Sequence, residues 1–186
     1  AAASPLLTAS PTLQPDGDAF SNLGIALRRL NRLEEALEAY RRSCELVPGS
    51  VNARYGLANV LGDLEQFDEA VLHYRQAIKL SPAFGPAYYN LANALRDLGR
   101  LDEAEAAFRQ AIIRDPGRAA EIRNSLAMCQ LLGGRYAEGW NGYEARWETG
   151  RLPVRDLPQP PWDGAALTGR TILLHAEQGF GDTVQF

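Results

Sequence analysis

The chain has 186 residues, a formal net charge of −4, and a composition that is 46% hydrophobic and 23% charged. That length suits one globular domain or a short repeat array, and the intermixed charges leave no basic excess of the kind a nucleic-acid-binding face requires. No apolar run reaches the roughly 18 residues of a membrane span, so neither nucleic acid nor a membrane is an expected partner.

Position 1 is Ala, and Ala1 to Ala3 lack the basic and apolar regions of a signal peptide. The chain reads as a piece of a longer protein, and Cys44 and Cys129, read as reduced thiols on different repeats, fit a cytoplasmic one. Residues 1–16 read as the degenerate end of an upstream unit or as disordered chain, with Leu13-Gln14-Pro15-Asp16 marking the unit's close. From Gly17 onward a period of 34 residues takes over. Leu33-Glu34-Glu35-Ala36 returns as Phe67-Asp68-Glu69-Ala70 and as Leu101-Asp102-Glu103-Ala104, while Pro48, Pro82 and Pro116 keep the same step. Leu23, Leu57 and Leu91 are in phase, as are the small residues Gly24, Ala58 and Ala92. Self-similarity at such a period marks a repeat architecture.

The predicted units are 17–50, 51–84, 85–118 and 119–149, and each reads as two helices. In the third unit Tyr88, Leu91, Ala92 and Leu95 form an i, i+3, i+4, i+7 stripe. Gly99 ends that helix, because glycine accepts the left-handed residue past a helix terminus. Asp102 and Glu103 open the next helix at the positive end of its dipole. Ala104, Phe108 and Ala111 form its buried stripe, and Pro116 stops it. The fourth unit carries one extra residue after Asn124, which puts Gly133-Gly134-Arg135-Tyr136 35 residues after Leu98-Gly99-Arg100-Leu101. Its second helix places Tyr136, Trp140, Tyr143 and Trp147 on one face. A stripe of that kind is expected to be core, sealing the end of the array or docking a following domain.

Beyond Gly150 the composition changes. Residues 150–170 read as a Pro-rich linker (Pro153, Pro158, Pro160, Pro161). Residues 171–186 read as a strand, Thr171 to Ala176, followed by the turn Glu177-Gln178-Gly179-Phe180-Gly181-Asp182. A strand leading into a glycine-rich turn opens many nucleotide-binding folds.

The 34-residue pattern resembles the tetratricopeptide repeat over about three quarters of the chain. That resemblance implies an all-α, right-handed superhelix of helix-turn-helix repeats, to which residues 171–186 add a short C-terminal extension that starts an α/β domain. It also implies that the first helix of each unit lines a concave face. The sixth residues of the units are Asn22, Gly56, Asn90 and Asn124. This row, and stretches such as YYNLANALRDLG, resemble the repeats of the O-linked N-acetylglucosamine transferase family, whose asparagine ladder clamps the backbone of an extended peptide. Asparagine carries both a donor and an acceptor, so a column of them can pair with successive peptide groups. Gly56 interrupts the column. Asn59 and Asn93 add polar groups, Tyr55 and Tyr89 add flat apolar surface, and Asp63, Arg96 and Asp97 are further candidates. The alternative is that the asparagines cap or bridge neighbouring helices.

The string PWDGAALTGRTILLHAEQGFGDTVQF is similar to the segment joining bacterial repeat arrays to a glycosyltransferase-like domain with two Rossmann-type halves. Its turn resembles the first loop of the heptosyltransferases. By that match Asp182 is the candidate base of a sugar-nucleotide-dependent enzyme, with helix capping as its structural alternative. No turnover is expected from these residues by themselves. The expected function is thus a scaffold that binds a protein or extended peptide in its groove. The alternative is the substrate-recruiting region of a bacterial glycosyltransferase. Self-association through the array ends or the tail is a third option. No cofactor is expected, and neither His73 and His175 nor Cys44 and Cys129 show metal-ligand spacing.

Overall fold

The structure, a computed structural model, describes residues 16–148 and, in isolation, Thr168. The expected upstream unit end, the strand Thr171 to Ala176 and the turn carrying Asp182 lie outside the described residues.

Among the described residues the chain is wholly helical, in antiparallel pairs. The first pair is α1 (Gly17–Arg29) and α2 (Leu33–Leu46), the second α3 (Val51–Asp63) and α4 (Phe67–Leu80). The third is α5 (Gly85–Asp97) and α6 (Leu101–Arg114), followed by a 3₁₀ turn at Pro116–Arg118. The fourth pairs α7 (Ala119–Leu132) with α8 (Tyr136–Tyr143), and a short α9 (Ala145–Glu148) follows. From α1 to α8 each helix packs on the next, and α9 packs on α7. The first helices of neighbouring pairs also touch, α1 on α3 and α3 on α5. Those first helices therefore form a continuous inner layer.

Local signals set the boundaries. Asp16 caps α1 by accepting from the Asp18 N–H at 3.0 Å, and Ser50 caps α3 through the Ala53 N–H at 3.2 Å. The turn inside each pair repeats one geometry. The residue past the first helix is left-handed at Asn31, Glu65, Gly99 and Gly134, with φ between 56° and 74°. The N–H that follows closes a six-residue bond, as Arg32 to Leu27 and Gln66 to Leu61. This is the Schellman arrangement.

Burial follows position in the stack. α1 buries a single stripe of Gly17, Ser21, Gly24 and Leu27. α3, covered by α2 on one side and α4 on the other, buries Ala53, Gly56, Leu57, Ala58, Val60 and Leu61. Leu23 is 48% exposed, although its equivalents Leu57 and Leu91 are buried. Among the described residues no second helix of an earlier pair lies over α1.

Two residues of the aromatic stripe in the fourth pair depart from the expected core position. Tyr136 and Trp140 are exposed, Trp140 at 57%. The inward face of α8 runs instead through Gly139, where a Cβ would lie 2.7 Å from Leu131, and Gly142, where one would lie 3.1 Å from Ala127. Close approach of α7 selects the glycine face, Tyr136 and Trp140 are turned outward, and Tyr143 is half-buried.

One ring shapes the first junction. Tyr40, from α2, stands between Gly24 of α1 and Gly56 of α3. A Cβ on Gly24 would lie 2.7 Å from the Tyr40 ring, and one on Gly56 only 2.2 Å. The third and fourth pairs are also joined by a polar cluster. Glu105, 6% exposed, accepts from Gln130 Nε2 at 3.0 Å and pairs with Arg135 at 2.6 Å and with Arg109.

The two glycines inside α3 give a contrast. Gly56→Ala drives a methyl into Tyr40, and overpacking typically costs about 1–3 kcal/mol. Gly62→Ala meets nothing nearer than Tyr74 Oη at 3.8 Å and gains up to about 1 kcal/mol of helix propensity. Urea unfolding followed by circular dichroism will show the first variant destabilised and the second stabilised.

Candidate functional site

The inner layer holds two adjoining cavities. The larger, about 1040 Å³, lies along α1 and α3 and is lined in part by Asn22, Tyr40, Tyr55, Gly56 and Asn59. The smaller, about 210 Å³, lies along α3 and α5 and includes Asn59, Tyr74, Asn90 and Asn93. Arg28, Asn59 and Asp63 border both. Arg28 of α1 grips Asp63 of α3 with two bonds, Nε to Oδ2 at 2.5 Å and Nη2 to Oδ1 at 3.1 Å. That bond raises the Arg28 guanidinium above its ordinary pKa. The pair is solvent-facing, so its contribution to stability is within about 1 kcal/mol. Its consequence is geometric, because it fixes the border between the two cavities.

The asparagines fall into distinct situations. Asn22 is exposed in the larger cavity and makes no hydrogen bond among the described residues. Asn90 both lines the smaller cavity and bridges helices. Its Nδ2 donates to Asn59 Oδ1 at 2.8 Å and to Tyr55 Oη at 3.0 Å. Asn59 Oδ1 also accepts from Tyr74 Oη at 2.8 Å. Burial pushes the Tyr74 phenol pKa well up, which keeps it a neutral donor. This bonding leaves Asn59 Nδ2 and Asn90 Oδ1 without partners among the described residues. Asn93 borders the same cavity. Asn124, in α7, has a buried Oδ1 with no partner among the described residues.

Tyr55 and Tyr89 diverge. Tyr55 lines the larger cavity and meets Phe84 edge-on at 5.0 Å. Tyr89 lines neither cavity. It packs against Phe108 at 6.0 Å, shares a 3.3 Å hydroxyl contact with Ser125 and lies under the Arg118 guanidinium at 4.7 Å. Asp97 borders the smaller cavity and is paired with Arg96 at 3.0 Å. Sequence reasoning passed over Tyr40 and Arg28. Tyr40 shares its register with Tyr74 and Phe108 and reads as core. The available signal was the pair of glycines, Gly24 and Gly56, set at the two helices that flank it.

Among the described residues no group of three or more His, Cys, Asp or Glu could hold a metal ion. No helix among them is long and apolar enough to cross a membrane.

The two kinds of asparagine differ in what their loss costs. Asn90→Ala strips partners from Asn59 and Tyr55 and is expected to cost about 1–3 kcal/mol. Asn22→Ala breaks no internal bond and is expected to stay within about 0.5 kcal/mol of the parent. Urea unfolding of both variants measures the difference.

Comparison with known proteins places this geometry. Two tetratricopeptide repeat models match the chain, one at residues 55–119 and again at 89–151, the other at 19–83. Protein FlbA of Caulobacter vibrioides is 33% identical over 79 residues, which is 40% of this chain and 13% of FlbA. The chain thus spans only a small part of that relative. Among solved structures, MamA from Desulfovibrio magneticus RS-1 superposes with a TM-score of 0.68 at 22% identity, covering 73% of this chain and 76% of that one. YrrB, described as a TPR protein with an unusual peptide-binding site, superposes with a TM-score of 0.63 at 26% identity, covering 72% and 68%.

Proposed function

Because the chain belongs to the tetratricopeptide repeat family, we propose that it is a binding scaffold whose inner groove holds an extended peptide. The observation that carries this reading is a row of amide groups along the groove with bonding capacity left over: Asn22, Asn59 Nδ2, Asn90 Oδ1 and Asn93. Peptide groups present one donor and one acceptor per residue, and an amide offers both. A row of amides therefore suits a backbone better than any one side chain. The peptide-binding site named for YrrB supports the same use of the fold. Acidic Asp18 and Asp63 stand in the groove beside Arg28 and Arg29, a balance that favours a peptide over a polyanion. The free thiols Cys44 and Cys129 fit a reducing compartment, and the cytoplasm is the proposed setting.

A second reading rests on the string from Pro161 to Phe186. Its resemblance to the entry of a glycosyltransferase-like domain supports an array that recruits a polypeptide for sugar transfer, with Asp182 as the candidate base. The likeness of the asparagine row to that of the O-linked N-acetylglucosamine transferases points the same way. Transfer of labelled sugar from a nucleotide donor to a groove-bound peptide, by the protein from the complete gene, would test it. Absence of transfer from UDP-, GDP- and ADP-sugars would contradict it.

The groove itself is tested with a displayed library of 12-residue peptides, its tightest member being titrated by fluorescence anisotropy. Asn22→Ala with Asn93→Ala is expected to weaken binding at least tenfold, since about 1.4 kcal/mol corresponds to a factor of ten. N-methylation along the peptide backbone is expected to abolish binding. Unchanged affinity in the double variant would overturn the reading.

A further inference from the structure

The three junctions between pairs carry different versions of one constellation. At the junction of the second and third pairs it is complete: Asn59, Tyr74 and Asn90 bond to one another. The equivalent residues at the next junction are Asn93, Phe108 and Asn124, and a phenylalanine has no hydroxyl to contribute. At the first junction they are Ile25, Tyr40 and Gly56. Here the hydroxyl is present and both amides are missing.

Tyr40 is 3% exposed, yet it lines the larger cavity. Among the described residues its hydroxyl has no hydrogen-bond partner. The oxygen is not one of the fully enclosed side-chain atoms that lack a partner, so it opens onto the cavity rather than into the core. The position of that hydroxyl is informative. A Cβ on Gly56 would lie 2.8 Å from Tyr40 Oη. The hydroxyl thus sits beside the point from which an asparagine at position 56 would project. The ring fills the space that forces position 56 to be glycine.

Building on the peptide-groove reading, we propose that Tyr40 Oη replaces the amide missing at Gly56 and hydrogen-bonds the main chain of the bound peptide. A hydroxyl can both donate and accept, so it can meet either a carbonyl or an N–H. Asn22 on α1 and Asn59 on α3 line the same cavity. Tyr40 thus adds a hydroxyl to a wall that already carries two amides. The placement also centres the peptide on the first junction, where the cavity is about five times larger than at the second. That ratio follows from about 1040 Å³ against about 210 Å³.

Tyr40→Phe removes the hydroxyl and keeps the ring. Because the hydroxyl holds no internal bond, the unfolding midpoint in urea is expected to stay that of the parent. Affinity for the library-selected 12-residue peptide is expected to fall about tenfold. In protein labelled with ¹³C at tyrosine Cζ, the resonance missing from the variant is expected to shift when that peptide is added to the parent. If the peptide binds and depends on Asn22, but Tyr40→Phe stays within twofold and the resonance does not move, the hydroxyl is no part of the site and the groove reading survives. If no library member binds the parent, the groove reading fails and takes this inference with it.

Discussion

In the first hairpin the ring of Tyr40 stands between α1 and α3, so close to both that neither Gly24 nor Gly56 could carry a side chain. Tyr74 repeats the insertion one pair later, meeting the Tyr55 ring at 6.0 Å and bonding Asn59. Phe108 repeats it again and is fully buried against Tyr89. A helical hairpin cannot cover its own apolar face, so its stability comes from such contacts with neighbours. Each buried aromatic ring contributes about 2–3 kcal/mol through the surface it removes from water. The ring also spaces the inner helices and so sets the width of the groove.

The proposed peptide site follows from how each junction treats the hydroxyl on that ring. Where Asn59 and Asn90 surround Tyr74, part of the polar capacity is spent on joining helices, and the cavity is small. Where Ile25 and Gly56 surround Tyr40, the hydroxyl is left over and the cavity is large. The same residue class is therefore a fastening at one junction and a free group at the next. The Arg28–Asp63 pair marks the division between them. Arg28 comes from α1 and Asp63 from α3, so changes in their spacing alter both cavities together.

The hairpins were legible because their signals are local or strictly periodic. Leu57, Leu91, Ala92, Ala104, Phe108 and Ala111 are buried as their phase requires. Gly99 announced the left-handed turn residue, and Glu65 adopts the same conformation without any such announcement, held there by the Schellman bonds. Contacts between pairs were less legible. Nothing in the phase of Tyr40 distinguishes it from Phe108, and its role depends on glycines 16 residues away on either side. The helical period put Tyr136 and Trp140 on one face but could not say which face meets α7. Gly139 decides that, because a side chain there would collide with Leu131, and Gly142 eases the same approach beside Ala127. Asn90 was readable as a ligand group or as a bridge, and it has the geometry of both.

The insertion of one aromatic ring at each junction is tested most directly by Tyr74→Ala, with hydrogen exchange read by mass spectrometry across all four pairs. Removing a buried aromatic side chain typically costs about 3–5 kcal/mol. If the ring couples the second pair to the third, protection collapses together in α3, α4 and α5, and the parent's shared exchange behaviour separates into two blocks on either side of the junction. A variant whose helices all keep the parent's protection, or lose it only at residue 74 and its immediate neighbours in sequence, would show that the array is held together by something else.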